Sequence, residues 1–207
     1  MPSTDWVTIQ GKKGHGAGKV TDDQKNAMID RAVSTWKGMG LTDPEKLAFG
    51  VATMGLESGF DPHAVGKSPK SDEYGLGQFT KAGWDTAVKY YNKYKADQEK
   101  TDWPAVSVEA KEDPEVQILV MGTWIPHIWD SAGEIAGDRT LRGYNRTQIT
   151  YGKWNKGPGA EADTVRKYLR KNWHDPNIGG YFDPNYNRAM QALKMREEAK
   201  RTQPPTR

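Results

Sequence analysis

A chain of 207 residues can build one domain with a substantial core, and its modest 35% hydrophobic content is supplemented by eight Trp and nine Tyr, each a large contact surface that serves core packing or stacking on sugars or bases. The net charge of +3 suits an anionic partner such as a bacterial envelope, but basic and acidic residues are interleaved and the clearest basic run, Arg166 to Lys171, reads as a solvated helix face, which argues against dedicated nucleic-acid binding. The absence of cysteine excludes disulfides and thiolate metal sites, and the most apolar stretch, Val116 to Ile128, is broken by Gly122, Pro126 and His127 and is too short to span a bilayer, so no membrane insertion is expected.

In chain order, residues 1–20 hold a short alternating run, Trp6 to Ile9, and then the Gly- and Lys-rich segment Gly11 to Lys19. That segment fails as a phosphate-binding loop, because Lys13 stands where the first Gly is required and Val20 follows Lys19 where Ser or Thr is required. It reads as a flexible lead-in. Thr21 with Gln24 resembles a capping box ahead of Met28, Ala32, Val33 and Trp36 at helical spacing. Asp43-Pro44 opens a second helix, whose stripe Leu47, Val51 and Met54 leads to Glu57, with Gly59 as its stop. Residues 60–80 read as loop. A helix from about Lys81 carries Trp84, Val88, Tyr91 and Tyr94, and Asp113-Pro114 opens a strongly apolar helix expected to kink or end near Pro126. The pattern predicts another helix from about Asp138 to Lys153, then one with Val165, Tyr168 and Leu169 on its inner face. Residues 177–185 read as loop, Pro184 to Arg201 as a surface helix using Ala189, Met190 and Leu193, and Gln203-Pro204-Pro205 as a frayed tail.

Glu57 falls at the C-terminal end of a helix with apolar neighbouring turns, where partial burial and the helix dipole both penalise the charged carboxylate. A carboxyl that keeps its proton near neutral pH can donate it to a leaving oxygen, although an inert Glu in a last turn would look the same by position alone. Other chemistries find little support. His15, His63, His127 and His174 are scattered without metal-ligand spacing, so no metal is expected, and no Gly-x-Ser-x-Gly elbow occurs.

The segment Gly55-Leu56-Glu57-Ser58-Gly59-Phe60-Asp61-Pro62-His63-Ala64 resembles the Glu-Ser-x-Phe-x-Pro-x-Ala signature of soluble lytic transglycosylases. Twenty-one residues after Glu57, Gln78 stands in Tyr74-Gly75-Leu76-Gly77-Gln78-Phe79, which is similar to that family's Gly-Leu-Met-Gln-Ile/Phe motif. Trp154-Asn155-Lys156-Gly157-Pro158-Gly159 is similar to its Tyr-Asn-x-Gly-Pro-Gly. Together the motifs cover roughly residues 43–173 in the right order. The resemblance implies a mainly α, lysozyme-like (lytic transglycosylase) fold with a substrate cleft and little or no β-sheet. It implies Glu57 as the single acid/base, first protonating the glycosidic oxygen and then deprotonating the muramic acid 6-hydroxyl to close a 1,6-anhydro ring. Ser58 is then a helper near the substrate or the carboxyl group, Tyr74, Gly75, Leu76, Gly77, Gln78 and Phe79 line a sugar subsite, and Trp154 and Asn155 support the cleft wall.

Two positions depart from the pattern. Gly77 replaces the family's Met, which implies a missing side-chain wall in the sugar pocket, and Trp154 replaces the Tyr whose hydroxyl meets the catalytic Glu. Tyr151, three residues earlier and on nearly the same helix face, is the candidate to supply that hydroxyl. The loop between the first two motifs carries Asp72 and Glu73, solvated charges or a second carboxylate that activates water, as in a goose-type hydrolysing muramidase. A third reading, from another class, is a glycan-binding or phage-tail module without catalysis.

The expected organisation is a lead-in over residues 1–20, a catalytic domain over 21–180, and a C-terminal helix with a basic tail over 181–207. No cofactor is expected, the partner is the peptidoglycan glycan strand, and the chain is expected to act as a monomer. The N-terminus shows no charged-then-apolar signal pattern, which suggests a bacteriophage lysis or virion-associated enzyme delivered to the cell wall by a holin or by the particle.

Overall fold

In the computed structural model the described residues are Trp6, Ile9, Gly11, 20–66, Ser68 and 70–202. The Gly- and Lys-rich segment read as a flexible lead-in and the tail beyond Thr202 therefore lie largely outside them. Seven α-helices follow in order: α1 (Asp22–Gly38), α2 (Pro44–Ser58), α3 (Lys81–Asp97), α4 (Pro114–Ile135), α5 (Arg146–Lys156), α6 (Ala162–Asn172) and α7 (Gly179–Thr202). The fold is mainly α. Extended structure among the described residues is confined to two single bridges, Val65 with Tyr74 and Tyr74 with Phe79, in the loop after α2. No helix among these residues is long and apolar enough to cross a membrane.

The helix starts follow their local chemistry. Thr21 and Gln24 close a reciprocal capping box on α1, and Asn145 and Gln148 close another on α5. Asp43 and Asp113 each cap a helix that begins with proline, whose missing N–H is no loss in a first turn. The capping box at Asn145 also corrects the expected start of α5. Residues 139–141 form only a short 3-10 turn, and Gly143 takes φ +95 before the helix opens. Likewise α4 continues through Pro126 to Ile135, because Trp124, Ile125, Ile128 and Trp129 are all buried around the proline and packing outweighs one lost backbone hydrogen bond.

Two apolar clusters fill the molecule. The larger surrounds α2, which is buried on nearly every side from Leu47 to Leu56. Its neighbours include α7, which is no surface helix: it starts at Gly179, inside the stretch expected to be loop, and Phe182, Ala189, Ala192 and Leu193 sit in the same core. Trp6 and Ile9 are also fully buried there, with the Trp6 indole donating to Asp30 Oδ1 at 2.7 Å and the Arg196 guanidinium over its ring. The smaller cluster joins α3 and α4 through Trp84, Tyr91, Val120, Trp124 and Ile128. Phe79 and Trp154 pack against both clusters, so the seam between the two cores is lined by aromatic rings.

Candidate active site

Glu57 occupies the last full turn of α2, where burial gives way to half-exposure. Gly59 follows in the left-handed conformation, φ 63, which lets the chain leave the helix at once and run into residues 60–66. Those residues meet the turn 74–79, and between them, α3 and α5 lies a cleft of about 400 Å³ within the usual range for ligand sites. Glu57, Glu73, Gln78, Phe79, Trp154 and Asn155 are among its lining residues.

The Glu57 carboxylate is held from behind. The Tyr151 hydroxyl donates to Glu57 Oε1 at 2.7 Å, so the phenol and the carboxyl group are brought together from α5 and α2. Tyr151 is buried among Trp173, Phe182 and Tyr168. Burial first, and then the neighbouring Glu57 charge, push its ionisation well above the ordinary tyrosine value. It therefore stays a phenol, a permanent donor. Tyr168, also driven upward by burial and then by Glu57, sets its half-buried ring beside Tyr151, with centroids 6.4 Å apart.

The turn 74–79 is built by internal hydrogen bonds. Gln78 takes φ 46, unusual for a non-glycine residue, and its Nε2 donates to the carbonyls of Ala64 and Gly75, both at 3.0 Å. One residue absent from every sequence motif fastens this turn to its surroundings. Gln117, at the buried start of α4, accepts the Leu76 N–H through Oε1 at 2.8 Å and donates through Nε2 to the carbonyls of Pro62 at 2.9 Å and Lys111 at 2.8 Å. It ties the segment after Glu57, the cleft turn and the entry to α4 together. The available signal was a lone amide within the apolar run Val116 to Val120. Trp124, also unassigned by motif, lines the cleft from α4.

Several expected positions do other work. Ser58 is fully buried and its hydroxyl donates to the Met54 carbonyl at 2.9 Å, so it finishes the helix rather than reaching the cleft. Tyr74 is tied to His63 Nδ1 at 3.0 Å and lies beneath the Lys111 ammonium, while Leu76 is fully buried; both shape the turn without lining the cleft. Asp72 is exposed, and its carboxylate accepts the Lys81 N–H at the start of α3. Glu73 does line the cleft with Glu57, its Oε2 held by Ser71 Oγ at 2.9 Å. Asn155 lines the cleft while its Nδ2 donates to the Tyr151 carbonyl at 3.1 Å. The far wall, residues 157–158, is pinned by buried Lys153, whose ammonium donates to the Pro158 carbonyl at 2.7 Å.

The expected gap at Gly77 is filled from elsewhere. A Cβ at this residue would fall 2.7 Å from Phe79 Cε2 and 2.9 Å from Trp154 Cζ2, and the Trp154 indole donates to the Gly77 carbonyl at 3.3 Å. The tryptophan occupies the space a side chain at 77 would need. Among the described residues no group of three or more His, Asp or Glu side chains is placed to hold a metal. Comparison with models of known protein families, with curated proteins and with solved structures returns no match for this chain.

Proposed function

We propose that the protein cleaves the β-1,4 bond between N-acetylmuramic acid and N-acetylglucosamine in bacterial peptidoglycan, on a lysozyme-like scaffold, with Glu57 as general acid and base. The observation that carries this reading is the Glu57 carboxyl, gripped by the buried Tyr151 phenol at 2.7 Å and set in an aromatic- and amide-lined cleft. Rings at Phe79 and Trp154 offer faces for pyranose C–H groups above the buried Trp124, and Gln78 and Asn155 offer amide oxygens for hydroxyl and acetamido groups. Protonated Glu57 gives its proton to the glycosidic oxygen as the bond breaks toward an oxocarbenium-like state. The resulting carboxylate, steadied by Tyr151, removes the proton from the muramic acid 6-hydroxyl, whose oxygen closes on C1 and yields the 1,6-anhydro sugar. No water and no second carboxylate enter this sequence.

A second reading, hydrolysis, is favoured by one observation: Glu73 lines the same cleft and has a free lone-pair side to address water, whereas Asp72 is committed to the start of α3. The deciding experiment is mass spectrometry of purified sacculi digested by wild type, Glu57→Gln and Glu73→Gln. Anhydro-muropeptides from wild type and Glu73→Gln, with a loss of about 10²- to 10⁴-fold in Glu57→Gln, are expected. Reducing ends that vanish in Glu73→Gln would establish hydrolysis instead, and no release by any form would leave a glycan-binding module.

A further inference from the structure

Beyond Phe79 and Trp154, the face of α3 that borders the cleft continues into a second cavity. Gly83 and Thr86 line the cleft, and Tyr90, Tyr94 and Gln98 line the second cavity, of about 470 Å³. Steps of three, four, four and four residues keep all five within one stripe of the helix, and from Gly83 to Gln98 the stripe runs about 22 Å at 1.5 Å per residue. Across from it, α4 makes the same transition. Trp124 lines the cleft and meets Tyr90 edge-on at 5.8 Å, and Pro126 and His127 line the second cavity.

The second cavity has the character of a saccharide site. His127 stacks on Tyr90 at 4.1 Å, and Tyr94 stacks beside Tyr90 on one side and Trp103 on the other, which makes a rigid aromatic rail. The Tyr90 and Tyr94 hydroxyls and both ring nitrogens of His127 have no hydrogen-bond partner among the described residues. Burial lowers the His127 pKa, which favours a neutral ring able to donate at one nitrogen and accept at the other. The rail's uncharged rings, with unused donors and acceptors, match the alternating C–H and O–H surface of a sugar chain, and Asp43, Lys100 and the Lys46–Asp130 ion pair complete the lining with charged groups able to bind hydroxyls.

We infer that the α3–α4 groove at Tyr90, Tyr94 and His127 is a remote glycan-strand subsite, which holds the chain on the far side of Trp124 from the bond that is cut. This rests on the glycan-cleavage reading for its substrate. A remote subsite strengthens binding of long strands and is invisible to substrates too short to reach it.

The test compares kcat and KM of wild type and Tyr94→Ala on long, peptide-free glycan strands and on a short N-acetylglucosamine-containing oligosaccharide. Tyr94→Ala should raise KM for long strands roughly tenfold, the loss of one aromatic contact, with kcat unchanged and the short substrate unaffected. Tyr90→Phe/Tyr94→Phe, which keeps the rings and removes only the hydroxyls, should show a smaller change of the same kind and serves if Tyr94→Ala fails to fold. Equal effects on both substrates, or none on either, would overturn the subsite. If wild type cuts neither substrate, the cleavage reading fails by itself; NMR titration of Glu57→Gln with N-acetylglucosamine hexamer then decides this inference. Shifts at Tyr90, Tyr94 and His127 uphold a saccharide site, and their absence overturns it.

Discussion

Removing the Tyr151 hydroxyl should slow catalysis more than removing the Trp154 indole N–H. In Tyr151→Phe the ring stays packed against Trp173 and Phe182, and only the 2.7 Å bond to Glu57 Oε1 is lost. That bond is weak while Glu57 is a neutral acid and strong once its proton has left, so its stabilisation grows toward the transition state. A hydrogen bond to a charged group is worth about 1.5–3 kcal/mol, which as a barrier is roughly 10- to 150-fold in kcat. Trp154→Phe removes a longer bond, 3.3 Å, between neutral groups, worth about 0.5–1.5 kcal/mol or roughly 2- to 12-fold. Initial rates of soluble muropeptide release from sacculi, with kcat and KM separated, measure both. A larger loss in Trp154→Phe, or a Tyr151→Phe defect confined to KM, would refute the assignment of Tyr151 to the developing carboxylate.

Gln117→Leu strands the Leu76 N–H and removes the donors to Pro62 and Lys111. At about 1–3 kcal/mol it should lower the melting temperature by roughly 2–12 °C, read by circular dichroism, and Gln117→Glu should recover part of it through the acceptor it retains. Lys153 has a pKa lowered by burial, against the opposing pull of Glu134. Its folded value lies below its unfolded one, so between the two the unfolded chain holds more protons and stability rises with pH toward the ordinary lysine value of about 10.4. Urea midpoints across that alkaline window should rise more in wild type than in Lys153→Met, and parallel profiles would contradict the assignment. Gly77→Met places side-chain atoms on Phe79 and Trp154 and should impair activity alone, while added Trp154→Tyr should restore part of it, a coupling visible in a double-mutant cycle.

Much of the helical plan was legible because its signals are local. Thr21, Asp43 and Asp113 cap helices by bonds to residues two or three positions away, and such spacings are visible in a sequence, whereas the equally local cap at Asn145 stands later than the start expected near Asp138. The errors arose where distant packing decides. The sequence predicts a kink or an end near Pro126, yet the helix continues to Ile135, because its neighbours' burial between α3 and α5 is not a property of the local string. The C-terminal helix was read as a surface element because its apolar positions are sparse, yet Phe182, Ala189 and Leu193 suffice to seat it along α2. In the site, Glu57 and Gln78 were marked by motif and Tyr151 by helical phase. Gln117 was not, because its three partners lie in segments that only the fold brings together. Asp72 and Glu73 are adjacent in sequence and opposite in placement, one on a helix start and one on the cleft.

Gly77 and Trp154, the two positions that differ from the motifs the sequence resembles, make one steric exchange. Read separately, a glycine for a methionine opens a hole and a tryptophan for a tyrosine removes a hydroxyl. In three dimensions the Trp154 ring lies where a residue-77 side chain would stand, 5.2 Å from Phe79 and 6.2 Å from Phe49, so the lost wall is rebuilt from the opposite side. A tryptophan in that place has no oxygen to offer Glu57. The phenol instead comes from Tyr151, which lies deeper because it reaches the carboxylate from within the α2–α7 core. The consequence is chemical as well as steric. A donor buried at Tyr151 is shielded from solvent, so it acts on the carboxylate alone, while the indole at 154 lines the cleft and holds the Gly77 carbonyl.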